Sequence, residues 1–422
     1  MNNNNISIFL DTIVSRGFIH QTTDLNLLRK SYSKIIGYTG FDCTADTLHV
    51  GSLLQLMLLR WLQKTGNKPI VLIGGGTTKI GDPSGKDATR KILDQTLINK
   101  NANGLKNIIK NFIDFNDTNN GAILVDNSSW LDNLNYIDFL RNFGCHFSVN
   151  RMLTFDSVKT RLDREQNLSF LEFNYMITQA YDFYILNQKF NCNVQFGGSD
   201  QWGNIINGID LIKKTSSNNL AKSVHAITSP LITTANGNKM GKTANGAIWL
   251  SENHLPVFDF WQFWRNTADD DVCKFLKLFT EIDLSEIKKY ENIRGEEINE
   301  IKIILANEVT KITHGKIKSN EAHKASKEIL EKGWSNDGIP NAEIERKLLS
   351  LGVPAFQIFS YKNILCKSNS EARRLIKQGG AKINGEKIKD FNTIINDSYL
   401  KNENCLYISA GTKRHALIKA ID

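Results

Sequence analysis

The first candidate for chemistry in this chain is a His-x-Gly sequence between a short predicted strand and a long apolar helix. It is His49-Val-Gly-Ser52, within residues 38–52. The N–H groups of a first helical turn, here residues 50–53, and the positive end of the helix dipole can bind phosphate oxygens. Gly51 would let a ligand approach the backbone, and His49 would donate where negative charge develops. A histidine at a helix start can equally be a cap or a core residue, so this segment alone leaves both interpretations open.

A second segment, Lys239-Met-Gly-Lys-Thr243, places two lysines and a hydroxyl between Gly237 and Gly246. Glycines at both ends permit movement, as expected of a loop that closes over phosphates. A solvated basic loop is the alternative interpretation. Because both segments occur in one chain, in this order, we favour a nucleoside triphosphate site to which Lys239, Lys242 and Thr243 contribute.

The elements around these segments predict a doubly wound α/β fold with a parallel sheet. Residues 34–41 form a predicted strand, residues 53–62 a buried helix that ends at Gly66, and residues 69–73 a buried strand. A strand, a helix and a parallel strand in this order are typical of Rossmann-like domains. Further predicted elements are a helix over residues 6–16, strands over 121–125 and 194–196, and a helical, aromatic segment over 135–147.

The segments after this domain predict a helical region, a linker and a basic tail. Residues 256–333 have a helical pattern rich in charge, and residues 335–341 are rich in turn formers. Residues 360–422 contain twelve Lys and Arg but six Asp and Glu, so they contribute +6 of the net charge of +8. This asymmetry indicates a C-terminal module that binds a polyanion, with a basic solvated face as the alternative.

Local signals in the tail predict a helix followed by a hairpin. Ser368 and Glu371 have capping-box spacing at the start of a helix that ends at residues 379–380. Asn384-Gly385 is a strong two-residue hairpin signal between two short strands. Three cations on or near one face of this helix suit phosphate contacts: Arg373, Arg374 and Lys377.

Length and composition indicate a soluble enzyme with two or three domains. The 422 residues, 41% of them hydrophobic, are enough to form a sizeable core. No apolar run approaches the roughly 20 residues of a membrane span, and residues 1–5 lack the basic and apolar regions of a signal peptide. The six cysteines are scattered without a C-x-x-C pair, so we expect free thiols and no zinc site. We therefore expect a cytoplasmic protein that binds no membrane.

A third group of polar residues follows a helical spacing. Tyr175, Gln179 and Asp182 occupy positions i, i+4 and i+7, hence one face of a predicted helix. Taken alone, such a row is more often the solvated side of a helix than a binding site.

Together, these motifs resemble bacterial-type tyrosyl-tRNA synthetases, a family of class I aminoacyl-tRNA synthetases. His49-Val-Gly-Ser52 resembles the HIGH signature of class I, and Lys239-Met-Gly-Lys-Thr243 resembles its KMSKS signature. The Tyr-x-x-x-Gln-x-x-Asp row matches the amino-acid pocket of the tyrosine-specific family. The tail, with its helix, Gly-Gly, strand and Asn-Gly turn, resembles the small RNA-binding domain named after the fourth small-subunit ribosomal protein.

The resemblance implies a role for each matching residue. Tyr175 and Gln179, with Asp82, would hold the ammonium group of tyrosine, while Tyr38 and Asp182 would bond its phenolic hydroxyl. The catalytic residues would be His49, Lys239, Lys242 and Thr243. The ATP and adenylate contacts would be Gly40, Asp42, Thr44, His49, Gly51, Ser52, Gly198, Asp200, Gln201 and Lys242, and the tRNA contacts Arg373, Arg374, Lys377, Lys413 and Arg414.

The activity implied by the resemblance is a two-step, ATP-dependent attachment of L-tyrosine to tRNA(Tyr) through a tyrosyl-adenylate. Mg²⁺ would accompany ATP as substrate, with no permanent cofactor. The family also implies a homodimer formed through an inserted segment near residues 120–165. The implied domains are a catalytic domain over residues 1–250, a helical anticodon-side domain over 251–334, a linker over 335–351 and an RNA-binding domain over 352–422.

Two departures and two alternatives accompany this interpretation. Ser52 stands where many family members have the second histidine of HIGH, and Thr39 and Cys43 stand where Cys and Pro are frequent. A non-catalytic RNA-binding or scaffold protein with this fold is one alternative, against which His49 and Tyr38 argue. Tryptophanyl-tRNA synthetase is the nearest enzyme alternative, and both the pocket row and the RNA-binding tail disfavour it.

Overall fold

The computed structural model describes residues 3–84, 93–116, 119–216, 223–233, 240, 242–243, 246–331, 340–401, 404–411 and 414–421. The chain divides into two units, one of Met1–Ser251 with Asp270–Asn292 and one of Glu252–Asp269 with Ile293–Asp422.

The α-helices of the described residues are α1 (Asn3–Arg16), α2 (Leu25–Ser31), α3 (Val50–Lys64), α4 (Gln95–Ile109), α5 (Ser128–Leu131), α6 (Tyr136–Asn142), α7 (Val149–Met152), α8 (Asp156–Asp163), α9 (Phe170–Phe190), α10 (Trp202–Thr215), α11 (Val257–Arg265), α12 (Asp269–Phe279), α13 (Leu284–Tyr290), α14 (Ile298–His314), α15 (Lys316–Glu331), α16 (Arg346–Ser350), α17 (Ala355–Ser360) and α18 (Asn369–Lys377). The strands are β1 (Gln21–Thr22), β2 (Ile36–Asp42), β3 (Lys68–Gly74), β4 (Ile123–Asp126), β5 (Val194–Gly198), β6 (His225–Ser229), β7 (Lys242–Thr243), β8 (Gly246–Ala247), β9 (Asn341–Glu345), β10 (Val353–Pro354), β11 (Ala381–Ile383), β12 (Glu386–Lys387), β13 (Ile394–Ile395), β14 (Cys405–Ala410) and β15 (Arg414–Ile421).

A six-stranded sheet in the order β1-β6-β5-β2-β3-β4 forms the centre of the first unit. The strands from β2 to β6 pair in parallel, and only β1 runs antiparallel to its neighbour. β3 is buried along six of its seven residues, as expected of a strand covered on both faces. The predicted doubly wound α/β fold is confirmed.

The strand order reverses at β2, because β3 and β4 lie on one side of it and β5 and β6 on the other. Ligands of doubly wound sheets bind beyond the carboxyl ends of the strands at such a switch point. Here the carboxyl ends of β2 and β5 are Asp42 and Gly198. The topology therefore directs attention to this edge of the sheet.

Several predicted elements of the first unit are observed with small shifts of their bounds. The helix predicted over residues 53–62 is α3, which begins three residues earlier because His49 caps it. The helical, aromatic segment over residues 135–147 consists of α6 and a short 3₁₀ turn over Gly144–His146.

Aromatic packing holds the helices of the second unit together. The Nε1 of Trp261 in α11 donates to the Oδ1 of Asn307 in α14 at 2.8 Å. The same indole stacks on His323 of α15, with ring centroids 5.9 Å apart. The predicted helical character of residues 256–333 is thus confirmed as far as residue 331.

A five-stranded sheet in the order β12-β11-β14-β15-β9 forms the C-terminal part of the second unit. The predicted Asn384-Gly385 hairpin is observed: Ile383 pairs with Glu386, and the φ angles of the two turn residues are 51° and 85°. Ser368 caps α18 by accepting from the N–H of Glu371, as predicted. The Glu371 carboxylate instead accepts from the N–H of Lys367, one residue before the cap.

Part of the segment predicted as a linker is ordered structure. β9 begins at Asn341 and pairs in parallel with β15, and α16 follows directly. The reason is an alternating pattern, since Ala342 and Ile344 are buried while the residues between and beside them are exposed. Residues 332–339 lie outside the described residues, and the predicted domain boundaries stay predictions.

Two global features bear on where such a chain could work. Within the described residues, no helix has both the length and the apolar character needed to cross a membrane. All six cysteines have free thiols.

Candidate active site

His49 is the N-terminal cap of α3, and its side chain folds back onto the first helical turn. Its Nδ1 accepts a hydrogen bond from the backbone N–H of Gly51 at 2.9 Å. A neutral imidazole that accepts at Nδ1 carries its proton on Nε2, so the other ring nitrogen is a donor. His49 is therefore a helix cap whose Nε2 carries the proton of the imidazole.

The first three N–H groups of α3, which were predicted to bind phosphate, all bond to acceptors of the protein, and their binding to phosphate stays a prediction. Val50 donates its N–H to the carbonyl oxygen of Ile248 at 2.9 Å, and Ser52 donates to that of His49 at 2.8 Å. The N–H of Gly51 is bonded to the imidazole. An anion at this helix start would also meet the positive end of the helix dipole.

The segment after the second motif is bonded directly to the His49 turn. The N–H of Leu250 donates to the carbonyl oxygen of Leu48 at 2.8 Å, which complements the bond from Val50 to Ile248. His49 and Trp249 face each other in this short antiparallel bridge, with ring centroids 6.3 Å apart. The C-terminal side of the predicted phosphate loop is thus fixed to the predicted phosphate-binding histidine.

The second motif itself is described only in part. Lys242 and Thr243 form β7, which pairs with β8 in a small antiparallel hairpin. The structure gives their backbone, and Lys239 lies outside the described residues. The predicted roles of these three side chains remain predictions.

Tyr175, Gln179 and Asp182 all lie on α9, and two of them are buried rather than solvated. Tyr175 is 6% exposed and Asp182 is 1% exposed. The Tyr175 hydroxyl donates to Oδ2 of Asp42 at 2.8 Å, at the carboxyl end of β2. This helix begins at Phe170, five residues before Tyr175, with a capping box of Ser169 and Glu172. The row therefore lies on an inward-facing side of α9, towards the switch point of the sheet at β2.

Asp182 is a buried carboxylate held by two donors. Its Oδ1 accepts from the Nε1 of Trp130 at 2.7 Å, and its Oδ2 accepts from the Nδ2 of Asn127 at 2.9 Å. Burial raises the pKa of Asp182 to about 7, although both hydrogen bonds favour the charged form. A carboxylate with a pKa in this range changes its charge near neutral pH.

Tyr38 of β2 presents a buried hydroxyl next to this carboxylate. The residue is 1% exposed, and its ring packs on Phe183 at a centroid distance of 5.5 Å. Burial and the nearby charge of Asp182 raise the pKa of Tyr38 well above its usual range. Its hydroxyl has no hydrogen-bond partner in the described part of the chain. A buried hydroxyl without a partner costs about 1–3 kcal/mol, so a ligand that supplied one would bind favourably.

Asp82 begins a row of hydrogen-bonded side chains that reaches α9. Its Oδ2 accepts from the Nε2 of Gln201 at 2.9 Å. The Nδ2 of Asn204 donates to the Oε1 of Gln201 at 3.2 Å and to the Oε1 of Gln179 at 3.0 Å. Three residues predicted to bind the amino acid or the adenylate are thereby brought together.

The other residues predicted to contact ATP lie along the same sheet edge. Asp42 ends β2, and its Oδ1 accepts from the hydroxyl of Thr77 at 2.7 Å. Gly198 ends β5, and Asp200 and Gln201 follow it in a 3₁₀ turn. The remaining predicted contacts in this region are Gly40 in β2, the exposed Thr44 after it, and Gly51 and Ser52 in α3.

Comparison with known proteins gives the family. The family described as "tRNA synthetases class I (W and Y)" matches residues 30–331, which is more than half of the chain. The chain belongs to this family. A protein of Rickettsia bellii named "Tyrosine--tRNA ligase" is 51% identical over 97% of this chain and 99% of its own length. A Rickettsia rickettsii protein of the same name is 50% identical over the same shares.

A solved structure agrees with this membership in the class I synthetases. It is a C-terminally truncated mitochondrial tyrosyl-tRNA synthetase of Aspergillus nidulans, with a TM-score of 0.68 and 29% identity. The match covers 76% of this chain and 94% of that one. The family resemblance and the fold predicted from the motifs are confirmed.

The tail of this synthetase places its predicted tRNA contacts in two different settings. Arg373, Arg374 and Lys377 are exposed on α18, and the guanidinium of Arg373 lies 4.1 Å from the ring centroid of Phe356. Arg414 is partly exposed and is paired within the protein, since it donates to the carboxylate of Glu371 at 2.9 Å and to a backbone carbonyl at 3.2 Å. Lys413 lies outside the described residues.

Four polar residues of the synthetase site were missed in the sequence: Thr77, Asn127, Trp130 and Asn204. Asn127 holds Asp182 and also accepts from the N–H of Gly76 at 2.8 Å. A signal existed for two of them, because Asn127 and Trp130 closely follow the strand predicted at residues 121–125. For Asn204, only its position shortly after Gln201 marked it.

Proposed function

We propose that this class I synthetase is a tyrosine–tRNA ligase, which attaches L-tyrosine to tRNA(Tyr) in two ATP-dependent steps. The near full-length identity of 51% with a protein of that name supports the activity. The observation that carries the choice of amino acid is the buried pair formed by the Tyr38 hydroxyl and the Asp182 carboxylate.

This pair suits a ligand whose hydroxyl both donates and accepts. The phenol of tyrosine can donate to Asp182 and accept from the Tyr38 hydroxyl. Phenylalanine would leave the Tyr38 hydroxyl unpaired, which costs about 1–3 kcal/mol for a buried group, and it would offer no donor to the Asp182 carboxylate. The indole of tryptophan has a donor but no acceptor, so it would leave the Tyr38 hydroxyl unpaired.

The ammonium group of the substrate would bind at the other end of the pocket. The Tyr175 hydroxyl gives its proton to Asp42, so its oxygen is left to accept. Gln179 and Asp82 add amide and carboxylate oxygens on neighbouring elements. An ammonium group has only donors, and such oxygens complement it.

In the first step, a carboxylate oxygen of tyrosine attacks the α-phosphorus of ATP. The bond from this phosphorus to the bridging oxygen breaks, pyrophosphate leaves, and tyrosyl-adenylate remains. Such a reaction depends on positioning and charge neutralisation more than on proton transfer. His49 would donate from Nε2 to the phosphates, and Lys239, Lys242 and Thr243 would close over them. Mg²⁺ would arrive bound to the ATP substrate.

In the second step, a hydroxyl of the 3′-terminal ribose of tRNA attacks the carbonyl carbon of the adenylate. The ester forms, the bond from this carbon to the phosphate oxygen breaks, and AMP leaves, while the proton of the attacking hydroxyl passes to the departing phosphate. Asp200 would hold the adenylate ribose, and Gly198 and Gln201 would line the adenylate beside it. The basic tail would bind the tRNA, since exposed cations on one helix face contact phosphates.

A homodimer is part of the proposal. Large apolar side chains are exposed along the inserted segment and at the start of α9: Tyr136 at 57%, Ile137 at 67%, Val149 at 58% and Phe170 at 70%. Large apolar side chains exposed on one segment are a feature of interaction sites in folded proteins. The six free thiols fit a reducing compartment, so we place the enzyme in the cytoplasm.

ATP–pyrophosphate exchange with each of the twenty amino acids, followed by charging of tRNA(Tyr), tests the activity. We expect exchange with tyrosine alone and transfer of labelled tyrosine to the tRNA. Exchange with tryptophan in place of tyrosine would contradict the assignment of the pocket. No exchange with any amino acid would favour a non-catalytic RNA-binding protein.

A further inference from the structure

Asn204 lies at the centre of the row of side chains that begins on Asp82. It is in the first turn of α10 and 3% exposed. Its Nδ2 atom bonds the oxygens of two glutamines, Gln179 on α9 and Gln201 at the end of the 3₁₀ turn. One buried side chain thus joins two residues that come from different elements.

The carboxylate of Asp82 sets the direction of every bond in this row. A carboxylate only accepts, so Gln201 must turn its NH₂ group towards Asp82 and its oxygen away. That oxygen requires a donor, which Asn204 supplies. The second N–H of Asn204 then meets the oxygen of Gln179. Reversing any one of these amides would bring two donors or two acceptors together.

We propose that Asn204 is a positioning residue that keeps the oxygen of Gln179 available to the ammonium group of the amino acid. Each glutamine oxygen gives one lone pair to Asn204 and retains another. Asp82 still orients Gln201 without this bond, but Gln179 could turn its NH₂ group to the ligand, and two donors would then face each other. The inference rests on the proposed function, because it assigns the row to the tyrosine pocket.

A second asparagine on the same helix offers a matched control. Asn207 lies one turn further along α10 and is 5% exposed. Its Nδ2 has no hydrogen-bond partner within the part of the chain that the structure describes. Replacing it by leucine changes the same residue type at similar burial without touching the row.

Three ligands separate a role in ammonium binding from a general structural role. L-Tyrosine has an ammonium and a carboxylate, tyramine has only the ammonium, and 3-(4-hydroxyphenyl)propionate has only the carboxylate. Equilibrium binding of each would be measured with the full-length wild type, Asn204→Leu and Asn207→Leu. Leucine resembles asparagine in shape and lacks its donors.

We expect Asn204→Leu to weaken the binding of tyrosine and of tyramine by about tenfold, which is the effect of about one lost hydrogen bond. The affinity for 3-(4-hydroxyphenyl)propionate should stay within about twofold of the wild-type value. Asn207→Leu should change the three affinities equally or not at all. An equal loss for all three ligands in Asn204→Leu, or no loss for any, would overturn the inference. Asn204→Ala removes the same donors without added bulk and should weaken the binding of the same two ligands. Thermal unfolding checks that each variant folds.

Failure of the proposed function would look different. In that case the wild type itself would not bind tyrosine or support exchange with it. Failure of the Asn204 inference would leave both wild-type measurements intact.

Discussion

The imidazole of His49 occupies the space into which a side chain at Gly51 would extend. A β-carbon on Gly51 would lie 2.6 Å from Cε1 and 2.8 Å from Nδ1 of His49. The Gly51 N–H also donates to this Nδ1 at 2.9 Å. The glycine therefore accommodates the imidazole of His49, whereas the sequence had suggested that it accommodates the ligand.

Gly51→Ala should displace the imidazole and lower the rate of adenylate formation by about 10²-fold, as loss of one donor to developing charge does. Tyrosine affinity should stay unchanged, because the residues assigned to the amino acid lie on other elements. Pyrophosphate exchange gives the rate, and equilibrium binding gives the affinity. A full exchange rate in this variant would remove His49 from the proposed mechanism.

Tyr38→Phe should reduce discrimination against phenylalanine by about tenfold, since it deletes the buried hydroxyl that phenylalanine leaves unpaired. The variant should be at least as stable as the wild type, because the deleted hydroxyl is buried and has no partner among the described residues. Competition kinetics gives the ratio of kcat/KM for the two amino acids, and thermal unfolding gives the stability. If the ratio does not fall, Tyr38 is only a core residue.

Activity with tyrosine should fall as the pH drops below about 7. Burial raises the pKa of Asp182 to about 7, so its carboxyl becomes protonated in this range and loses the charge that accepts from the phenol. We expect kcat/KM for tyrosine to decrease between pH 8 and pH 6. Asp182→Asn cannot titrate and should show a low kcat/KM with a flatter profile. Parallel profiles for both proteins would assign the titration to another group.

The raised pKa of Asp182 should have the opposite effect on stability: the activity falls with falling pH, but the free energy of unfolding rises. The folded-state pKa of Asp182 lies above its unfolded value, so the native state binds the proton more tightly. The free energy of unfolding of the wild type, relative to Asp182→Asn, should therefore rise as the pH falls from about 7 to about 4, the usual value of an aspartate being about 3.9. Denaturant titrations at several pH values measure this difference.

Lys242→Ala should leave tyrosine binding nearly intact and lower adenylate formation by about 10²–10³-fold. A cation of the closing loop acts most strongly when charge develops on the leaving pyrophosphate, which raises the rate without strengthening ground-state binding. Single-turnover formation of the adenylate measures the effect. Unchanged turnover would exclude the loop from the chemistry.

Arg374 and Arg414 should behave differently, although both were assigned to tRNA from the sequence. Arg374→Ala should weaken tRNA binding. The slope of the logarithm of the binding constant against the logarithm of the salt concentration should become shallower by about 0.9, as expected for one lost phosphate contact. Arg414→Ala should leave the slope unchanged and lower stability by about 0–1 kcal/mol, because its partly exposed guanidinium is paired with Glu371 at 2.9 Å. A shallower slope for Arg414→Ala would return it to the tRNA-binding surface.

The sequence by itself determined the elements and the motifs at their ends. The buried run of β3, the cap at Ser368 and the Asn384-Gly385 turn are local signals, because each depends on residues that are neighbours in the chain. The order of strand, helix and strand then limits the fold to the doubly wound class. Since such folds bind ligands at one edge of the sheet, motifs that follow different strands could be assigned to one site.

Only the tertiary structure decided which polar groups are partners. Asp182 bonds to Asn127 and Trp130, which are more than fifty positions away in the chain. The N–H of Val50 is occupied by Ile248, which no local pattern indicates. Hydrogen bonding is directional and short-ranged, so a pairing exists only once packing has fixed two distant backbones and their rotamers. For the same reason, the tertiary structure decided that Arg414 faces Glu371 and that Asn204 lies between Gln179 and Gln201.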